Sequence, residues 1–235
     1  MLLAFCDSLS AENLPWPGSI FRGVPKQMLD AASELPMGED AFDSLLDREV
    51  VSIRSDHRVD RTTQFVYRIN SAAQIESGGQ ISATWNPWTD SRPELRARVI
   101  TVDGRVHELD PSTLVESAAE NTQGNLYRND RVLSAPLPAI AVGAIVEMQV
   151  VIRQHRPFCT AGVLGRIALR HYTRARRNEI EIRADASVPL RLAVFGADVP
   201  IEMKPEQDAQ VWHYVKDSPE PLDTYWFYLP RDATN

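Results

Sequence analysis

The sequence predicts an all-β protein built as an antiparallel β-sandwich, a class that includes the immunoglobulin-like arrangement, with a short, mainly helical or irregular N-terminal segment. Three observations support this prediction. Runs of β-branched and aromatic residues alternate with polar residues at period two. Glycine, proline, asparagine and aspartate separate these runs at the spacing of short strands. Strand–helix–strand alternation is missing, which argues against a doubly wound parallel sheet.

Composition narrows the class of protein without naming a chemistry. The chain has 235 residues, 43% of them hydrophobic, and a formal net charge of −7. A unit of about 150 residues already buries roughly 70% of its unfolded surface, so a substantial core is expected. Only two cysteines are present, which excludes a disulfide scaffold. No apolar run approaches the ~20 residues of a membrane helix, and the acidic balance disfavours nucleic acid as a partner.

The N-terminal segment, residues 1–46, is predicted to be distinct from the β domain over residues 47–235. Several prolines interrupt regular structure there. Apolar residues at helical spacing predict a helix over Lys26–Leu35 and a second, weaker one over Glu39–Leu46. Residues 1–11 resemble the end of a secretory signal whose positively charged start is missing, so we expect either a signal remnant or an ordinary terminus.

Strands are predicted from Val50 onward, where the pattern changes to period two. In Arg61–Ile69, aromatic and β-branched residues alternate with more polar neighbours, as in a half-buried strand. Further strands are predicted at Gln80–Trp85, Ala144–Arg153, Ile167–His171, Glu179–Arg183, Arg191–Phe195 and Val211–Val215.

The strongest local signal is a hairpin over Ala97–Leu109, where Asp103 and Gly104 separate two β-rich runs. This dipeptide is typical of a type I′ turn, in which both central residues adopt positive φ. Gly143, between a proline-containing segment and the next predicted strand, is a further candidate turn residue.

Motifs for covalent chemistry are weak in this sequence. Cys159 lies near arginines that could favour its thiolate, and His155 or His171 could act as its base, but no motif fixes their positions. The plainer interpretation is an incidental cysteine. The five histidines are scattered without metal-ligand spacing, and no glycine-rich phosphate loop occurs, so neither a metal nor a cofactor is predicted.

Eight arginines between Arg153 and Arg183 form a basic stretch with His171 and Tyr172 interleaved. Such a stretch could contact single-stranded nucleic acid through phosphate contacts and stacking. The favoured interpretation is instead a solvated region whose arginines pair with the acidic remainder of the chain, so no nucleic-acid partner is predicted.

Tryptophans are the most specific surface candidates. Trp85 and Trp88 flank a turn and could pack in the core, contact a neighbouring domain, or form a carbohydrate-stacking platform if exposed. Trp226 and Tyr228 belong to a C-terminal aromatic run that we expect to be covered by a partner. These four residues are the predicted docking surface.

Taken together, the ordered strands from about Asp47 to Pro230 resemble the DUF3857 family, the domain that precedes a transglutaminase-like domain in many bacterial extracytoplasmic proteins. The resemblance rests on an opening strand at Asp47–Ile53, the Leu95–Leu109 hairpin, and Tyr127–Leu133 followed by Leu137–Glu147. Ala144 stands where the family usually has an acidic residue.

The resemblance implies a non-catalytic structural or binding module whose partner is a transglutaminase-like domain or a separate protein, in an extracytoplasmic location. The family's catalytic Cys-His-Asp residues belong to that following domain, so we expect no catalytic residue in this chain. The alternatives are a stand-alone thiol hydrolase that uses Cys159, or a carbohydrate-binding sandwich that uses Trp85 and Trp88. The sequence does not specify the oligomeric state.

Overall fold

The structure is a computed structural model of the chain, and it describes residues 15–16, 20–37, 43–119, 129–168, 174–193, 202–206 and 208–219. The described residues form two sheets, a large one of eight strands and a small one of three. Among the helices that the structure describes, none is long and apolar enough to cross a membrane.

The strands of the large sheet are β1 (Leu46–Ile53), β2 (Val59–Arg68), β4 (Glu94–Ile100), β5 (Val106–Glu108), β8 (Ile145–Arg153), β9 (Arg177–Asp185), β10 (Glu202–Glu206) and β11 (Ala209–Asp217). Those of the small sheet are β3 (Gln80–Trp85), β6 (Val115–Ala118) and β7 (Arg131–Pro136). Neighbouring strands follow the order β10-β11-β9-β1-β2-β8-β4-β5 in the large sheet and β3-β7-β6 in the small sheet. Two short α-helices are described, α1 (Pro25–Ser33) and α2 (Ala72–Gly78), together with a 3₁₀ turn at Pro111–Thr113. The predicted all-β sandwich is confirmed.

The first core lies between the two sheets, because strand alternation turns one apolar row of each sheet toward the other. In β3 every second residue is buried, so Ile81, Ala83 and Trp85 point inward while their neighbours are exposed. They pack against residues such as Val99 and Val146 from the inner face of the large sheet. The predicted strand Gln80–Trp85 has the same bounds as β3.

A second core lies on the opposite, outer face of the large sheet, where α1 covers the strands. Met28 and Ala32 of the helix are buried against Val66, Ile100 and Ile145 of the sheet. Pro25 starts the helix, where its missing N–H costs nothing. The predicted helix Lys26–Leu35 is therefore confirmed, and its apolar stripe is what holds it to the sheet.

A third core covers the inner face of β1, β9 and β11, beyond the reach of the small sheet. Val51, Ile53 and Ala184 are buried there, with Trp212 partly buried beside them. Val163 and Ile167 pack on this cluster from a segment that is not a strand. An irregular segment thus takes the place of a second sheet at this end of the molecule.

The Asp103-Gly104 hairpin joins β4 to β5, but its turn differs from the predicted type I′. Only Gly104 of the two has positive φ, at 82°. Gly104 N donates to Thr101 O at 2.8 Å, and Thr101 N donates to Arg105 O at 2.9 Å, which makes a three-residue loop that ends on a left-handed glycine. A loop of this kind needs positive φ at the glycine alone. Asp103 stabilises the turn through its carboxylate, which accepts from Thr101 Oγ1 and Arg105 N.

Gly143 is confirmed as a turn residue, with φ of 85°, and its N–H donates to Ile69 O at 2.7 Å. A Cβ added there would lie 2.8 Å from Val102 Cγ1, a side chain of the β4–β5 loop. Two turns from distant parts of the sequence therefore meet at this end of the sandwich.

Three predicted elements differ from the structure. The second helix, Glu39–Leu46, is wrong in its described part, because Ser44 forms a bridge with Ala175 and Leu46 begins β1. The predicted strands Ile167–His171 and Arg191–Phe195 are not strands where they are described, at 167–168 and 191–193. Ile167 contributes its side chain to the third core without joining a ladder.

The structure also contains elements and pairings that the period-two patterns did not predict. β1 runs antiparallel to β2 but parallel to β9, so the large sheet is mixed at one step. Helix α2, whose N-cap is Ser71, was not predicted, nor were β6, β7 and β10.

Candidate docking surface

The turn at residues 86–90 holds Trp88 in a fixed position between β3 and β4. Asn86 Oδ1 accepts from Trp88 N at 3.0 Å, and Asn86 O accepts from Asp90 N at 2.8 Å. Asp90 Oδ2 in turn accepts from Asn86 N at 3.0 Å. Reciprocal bonds of this kind are typical of Asn and Asp turns. The Trp88 backbone is therefore ordered before any partner arrives.

A second element beside this turn is the segment 154–168, which we call the strap. His155 N donates to Thr89 O at 2.9 Å, and His155 Nε2 lies 3.3 Å from Pro87 O. The start of the strap is thus fixed to the Trp88 turn. Further along, Thr160 O lies 3.0 Å from Nδ1 of His57.

The tight turn between β1 and β2 positions His57 for that contact. His57 has φ of 67°, and its N–H donates to Arg54 O at 2.9 Å. Asp56 accepts from Arg58 N at 3.1 Å and from Arg58 Nε at 2.6 Å. The bond from the Arg58 backbone N–H is the main reason that the pKa of Asp56 is lowered. A charged Asp56 therefore supports the turn that anchors the middle of the strap.

Large apolar side chains project from these two anchored elements into solvent. Trp88 is 65% exposed, Phe158 is 86% exposed and Leu164 is fully exposed. Arg156 N lies 3.4 Å from Thr89 O of the Trp88 turn, and Phe158 follows Arg156 by two positions in the chain. Exposed apolar side chains that lie together are typical of protein contact sites, whereas single ones occur on any surface. We call Trp88, Phe158 and Leu164 the apolar triplet.

Arginines lie on the strap and beside the Trp88 turn, although the chain as a whole is acidic. Arg156 and Arg166 of the strap are exposed, and Arg92, which follows the Trp88 turn, is half exposed and pairs with Glu116 at 3.5 Å. Tryptophan and arginine are the residue types that most often dominate binding energy at protein interfaces.

The structure separates the tryptophans that the sequence grouped together. Trp85 is 5% exposed and belongs to the core between the sheets, whereas Trp88 is on the surface. A stacking platform that needs both rings is therefore wrong for this pair, because β3 turns Trp85 inward. Trp226 and Tyr228 lie outside the described residues.

Sequence reasoning missed Phe158 and Leu164. The available signal was the position of apolar residues within a segment rich in glycine and arginine, where no period-two run could bury them. It marks irregular structure but does not show which side chains face solvent.

The thiol that could support catalysis lies on the strap. Cys159 is exposed, and the described contact of its predicted partner His155 is with Pro87 O. His171, the other predicted base, lies outside the described residues. Among the residues that the structure describes, no group of three or more His, Cys, Asp or Glu side chains could hold a metal ion.

Several arginines of the basic stretch pair with acids on the sheet, as the favoured interpretation expected. Arg153 pairs with Glu94, and Arg183 pairs with Glu206. Arg177 contacts Glu179 at 2.6 Å and Asp217 at 3.1 Å. These contacts are local to the large sheet and leave Arg156 and Arg166 as the exposed cations of the strap.

The fold defines this chain as a predominantly antiparallel β-sandwich domain. Residues 55–219 match the family described as a domain of unknown function with a solved structure, DUF3857. The match covers most of the chain, which therefore belongs to the DUF3857 family.

Among solved structures, the fold is similar to that of a "putative protease" from Parabacteroides distasonis. The TM-score is 0.65 at 11% sequence identity, and the similarity covers 77% of this chain but only 36% of the other. At this identity the likeness concerns the fold alone. This chain spans about a third of the length of that protein. No curated protein matches the sequence.

Proposed function

We propose that this chain is a non-catalytic docking module for a transglutaminase-like domain, of the cysteine peptidase or acyl-transferase type, and that the apolar triplet is its contact surface. The observation that carries the proposal is the ordered, 65% exposed Trp88. An aromatic side chain on backbone that is already held in place loses less conformational entropy, when a partner covers it, than one on a mobile loop. The neighbouring Phe158 and the strap arginines extend this surface.

Two further observations support a module rather than an enzyme. A similar fold covers 36% of a longer chain whose printed name is that of a "putative protease", so in that protein it is joined to further polypeptide in the same chain. The exposed Cys159 has no oriented base among the described residues, because His155 is directed at Pro87 O. A nucleophilic thiol needs such a base or a strongly lowered pKa.

The binding test uses the full chain and a transglutaminase-like domain taken from a protein that carries both domains in one chain. Calorimetry measures binding of the wild type and of Trp88→Ala. A hot-spot residue contributes at least about 2 kcal/mol, so we expect affinity to fall roughly 30-fold. Val115→Ala is the matched control, because Val115 is 64% exposed on β6 in the small sheet. Absent wild-type binding, or equal losses in both variants, contradicts the proposal.

The proposal includes an extracytoplasmic location, which follows from the setting in which the resembled proteins occur. Expression of the gene with its native upstream region, followed by fractionation of the cells, tests it. Recovery in the periplasm or medium supports export, and recovery only in the cytoplasm contradicts it.

A further inference from the structure

Three charged side chains are buried on the outer face of the large sheet, directly beneath α1. Arg68 of β2, Arg98 of β4 and Glu147 of β8 are 6%, 8% and 0% exposed. Arg98 and Glu147 are cross-strand neighbours and form an ion pair. Charged groups are expensive to bury, so their remaining hydrogen-bonding capacity must be satisfied locally.

The partners of this ion pair belong to the backbone that leads into α1. Glu147 Oε1 accepts from Phe21 N at 3.1 Å, and Arg98 Nη2 donates to Gly23 O at 3.0 Å. Both contacts are to main-chain atoms. The adjoining Arg96 guanidinium lies 4.7 Å above the centre of the Phe21 ring. The sheet thus fixes the entry of the helix at two residues of the turn that precedes it.

Arg68 fixes the other end of α1. Its guanidinium donates to Ala32 O, to Pro36 O at 2.7 Å and to Leu35 O at 3.4 Å. The last carbonyls of a helix have no partner within the helix, and a cation at this end is also favoured by the helix dipole. Arg68 Nε donates to Asn70 Oδ1 at 2.8 Å, which orients the side chain.

Between these two anchor points, the contact is apolar. Met28 is fully buried and sits over Ile100 and Ile145, and Trp16 belongs to the same cluster. An apolar surface alone would provide most of the adhesion, since a buried ion pair is often no better than well-packed hydrophobic residues. The buried charges therefore set the position and direction of α1 and of the turn that precedes it.

The two sides of this contact differ in their relation to the family. Arg68, Arg98 and Glu147 lie within the matched residues 55–219, whereas the residues that they bind lie outside that range. The binding side chains thus lie within the matched residues, whereas the backbone atoms that they bind beneath α1 precede them, as does β1.

We propose that the outer face of the large sheet is a binding site for a short amphipathic helix with its preceding turn, and that residues 15–16 and 20–37 of this chain, which we call the latch, are its resident occupant. The latch is held non-covalently and can be replaced by the same sequence supplied as a separate peptide. This site is on the opposite face of the large sheet from the core between the sheets and does not depend on the docking function proposed above.

The test cuts the full chain rather than truncating it. A specific protease site is inserted between residues 37 and 43, the folded protein is cleaved, and a fluorescent peptide of residues 15–37 is added. We expect saturable binding by fluorescence anisotropy, and displacement by unlabelled peptide. Loss of the native circular dichroism spectrum on cleavage, or a latch that does not exchange, overturns the proposal.

Variants then separate the contribution of the buried hydrogen bonds from that of the apolar contact. A peptide methylated on the backbone nitrogen of Phe21 cannot donate to Glu147, and it leaves the folded body unchanged. Glu147 keeps its ion pair with Arg98, but its buried Oε1 loses the Phe21 donor, so we expect binding to weaken roughly 10- to 100-fold. In the cleaved protein, Arg68→Met is expected to have a similar effect, because Leu35 O and Pro36 O lose this donor and Ala32 O keeps only a backbone one.

The controls are chosen to leave recognition intact. Lys26→Ala in the peptide removes a side chain that is 82% exposed, and Arg153→Met in the body removes an arginine of β8 that pairs with Glu94. Both are expected to bind within about two-fold of wild type. Equal affinity of the methylated and unmodified peptides overturns the proposal, whatever the effect of the body variants.

Discussion

Arg98 on β4 and Glu147 on β8 face each other across one antiparallel step of the large sheet and form an ion pair with almost no solvent exposure. The pair is covered by the latch, whose backbone bonds one further atom of each side chain, Glu147 Oε1 and Arg98 Nη2. An interaction of this kind affects stability very differently when one partner is removed and when both are removed.

We expect Arg98→Met alone to lower the free energy of unfolding by about 3–5 kcal/mol, because it removes the cation partner of the fully buried Glu147 carboxyl. Glu147→Leu alone is expected to have an effect of the same order. The double variant should cost clearly less than the two single costs added together. Urea denaturation of all four proteins measures this coupling, and simple additivity would contradict it.

Trp85 and Trp88 make a matched pair for stability, since they have the same side chain three residues apart. Trp85→Ala removes a ring that is 5% exposed in the core between the sheets, so we expect a loss of about 3–5 kcal/mol. Trp88→Ala removes a surface ring, and we expect a change within about 0.5 kcal/mol. Chemical denaturation measures both, and a large cost for Trp88→Ala would mean that its ring is part of the core.

Burial could be predicted from the sequence for one member of this pair but not for the other. The period-two pattern of β3 predicts that Trp85 points the same way as Ile81 and Ala83, so its burial could be inferred from parity once the strand was placed. Trp88 follows Pro87, outside the strand, where parity no longer applies. Its exposure depends on the Asn86 and Asp90 hydrogen bonds, which are a matter of side-chain geometry.

The latch site could not be predicted in this way. Arg96 and Arg98 alternate with apolar residues on β4, a pattern typical of a strand with one solvated face. Arg98 is buried because a helix from far earlier in the chain covers it. Likewise Ile167 lies in an apolar run that predicts a strand, yet it packs on the third core without hydrogen-bonding to a neighbouring strand. Long-range packing decides both cases.

The two turn glycines are expected to respond differently to the same substitution. Gly104 has φ of 82° and open space around it, so Gly104→Ala carries only the conformational cost, about 1–2 kcal/mol. Gly143→Ala adds a contact of 2.8 Å with Val102 Cγ1 and should cost more. Thermal unfolding measures both. If Val102→Ala restores part of the loss in Gly143→Ala but none in Gly104→Ala, the contact is the cause; equal behaviour would contradict this.

Tyr67 provides a pH-dependent test of the core between the sheets. Its hydroxyl donates to Gly78 O at 2.6 Å, and burial raises its pKa above the ordinary value of 10.0. The folded state therefore favours the neutral phenol more than the unfolded state does. That contribution is fully present below pH 10 and is lost as the pH rises through the raised folded-state pKa.

We accordingly expect wild-type stability, measured by urea denaturation, to fall as the pH is raised above about 10. Tyr67→Phe cannot ionise, so this part of the decline should disappear. At neutral pH the variant should be less stable by about 1 kcal/mol, because the Gly78 carbonyl loses its donor. Tyr214, another buried tyrosine, is left unchanged in both proteins, so the difference between their pH profiles isolates Tyr67. Parallel profiles above pH 10 would show that the Tyr67 hydroxyl is not buried in the folded state.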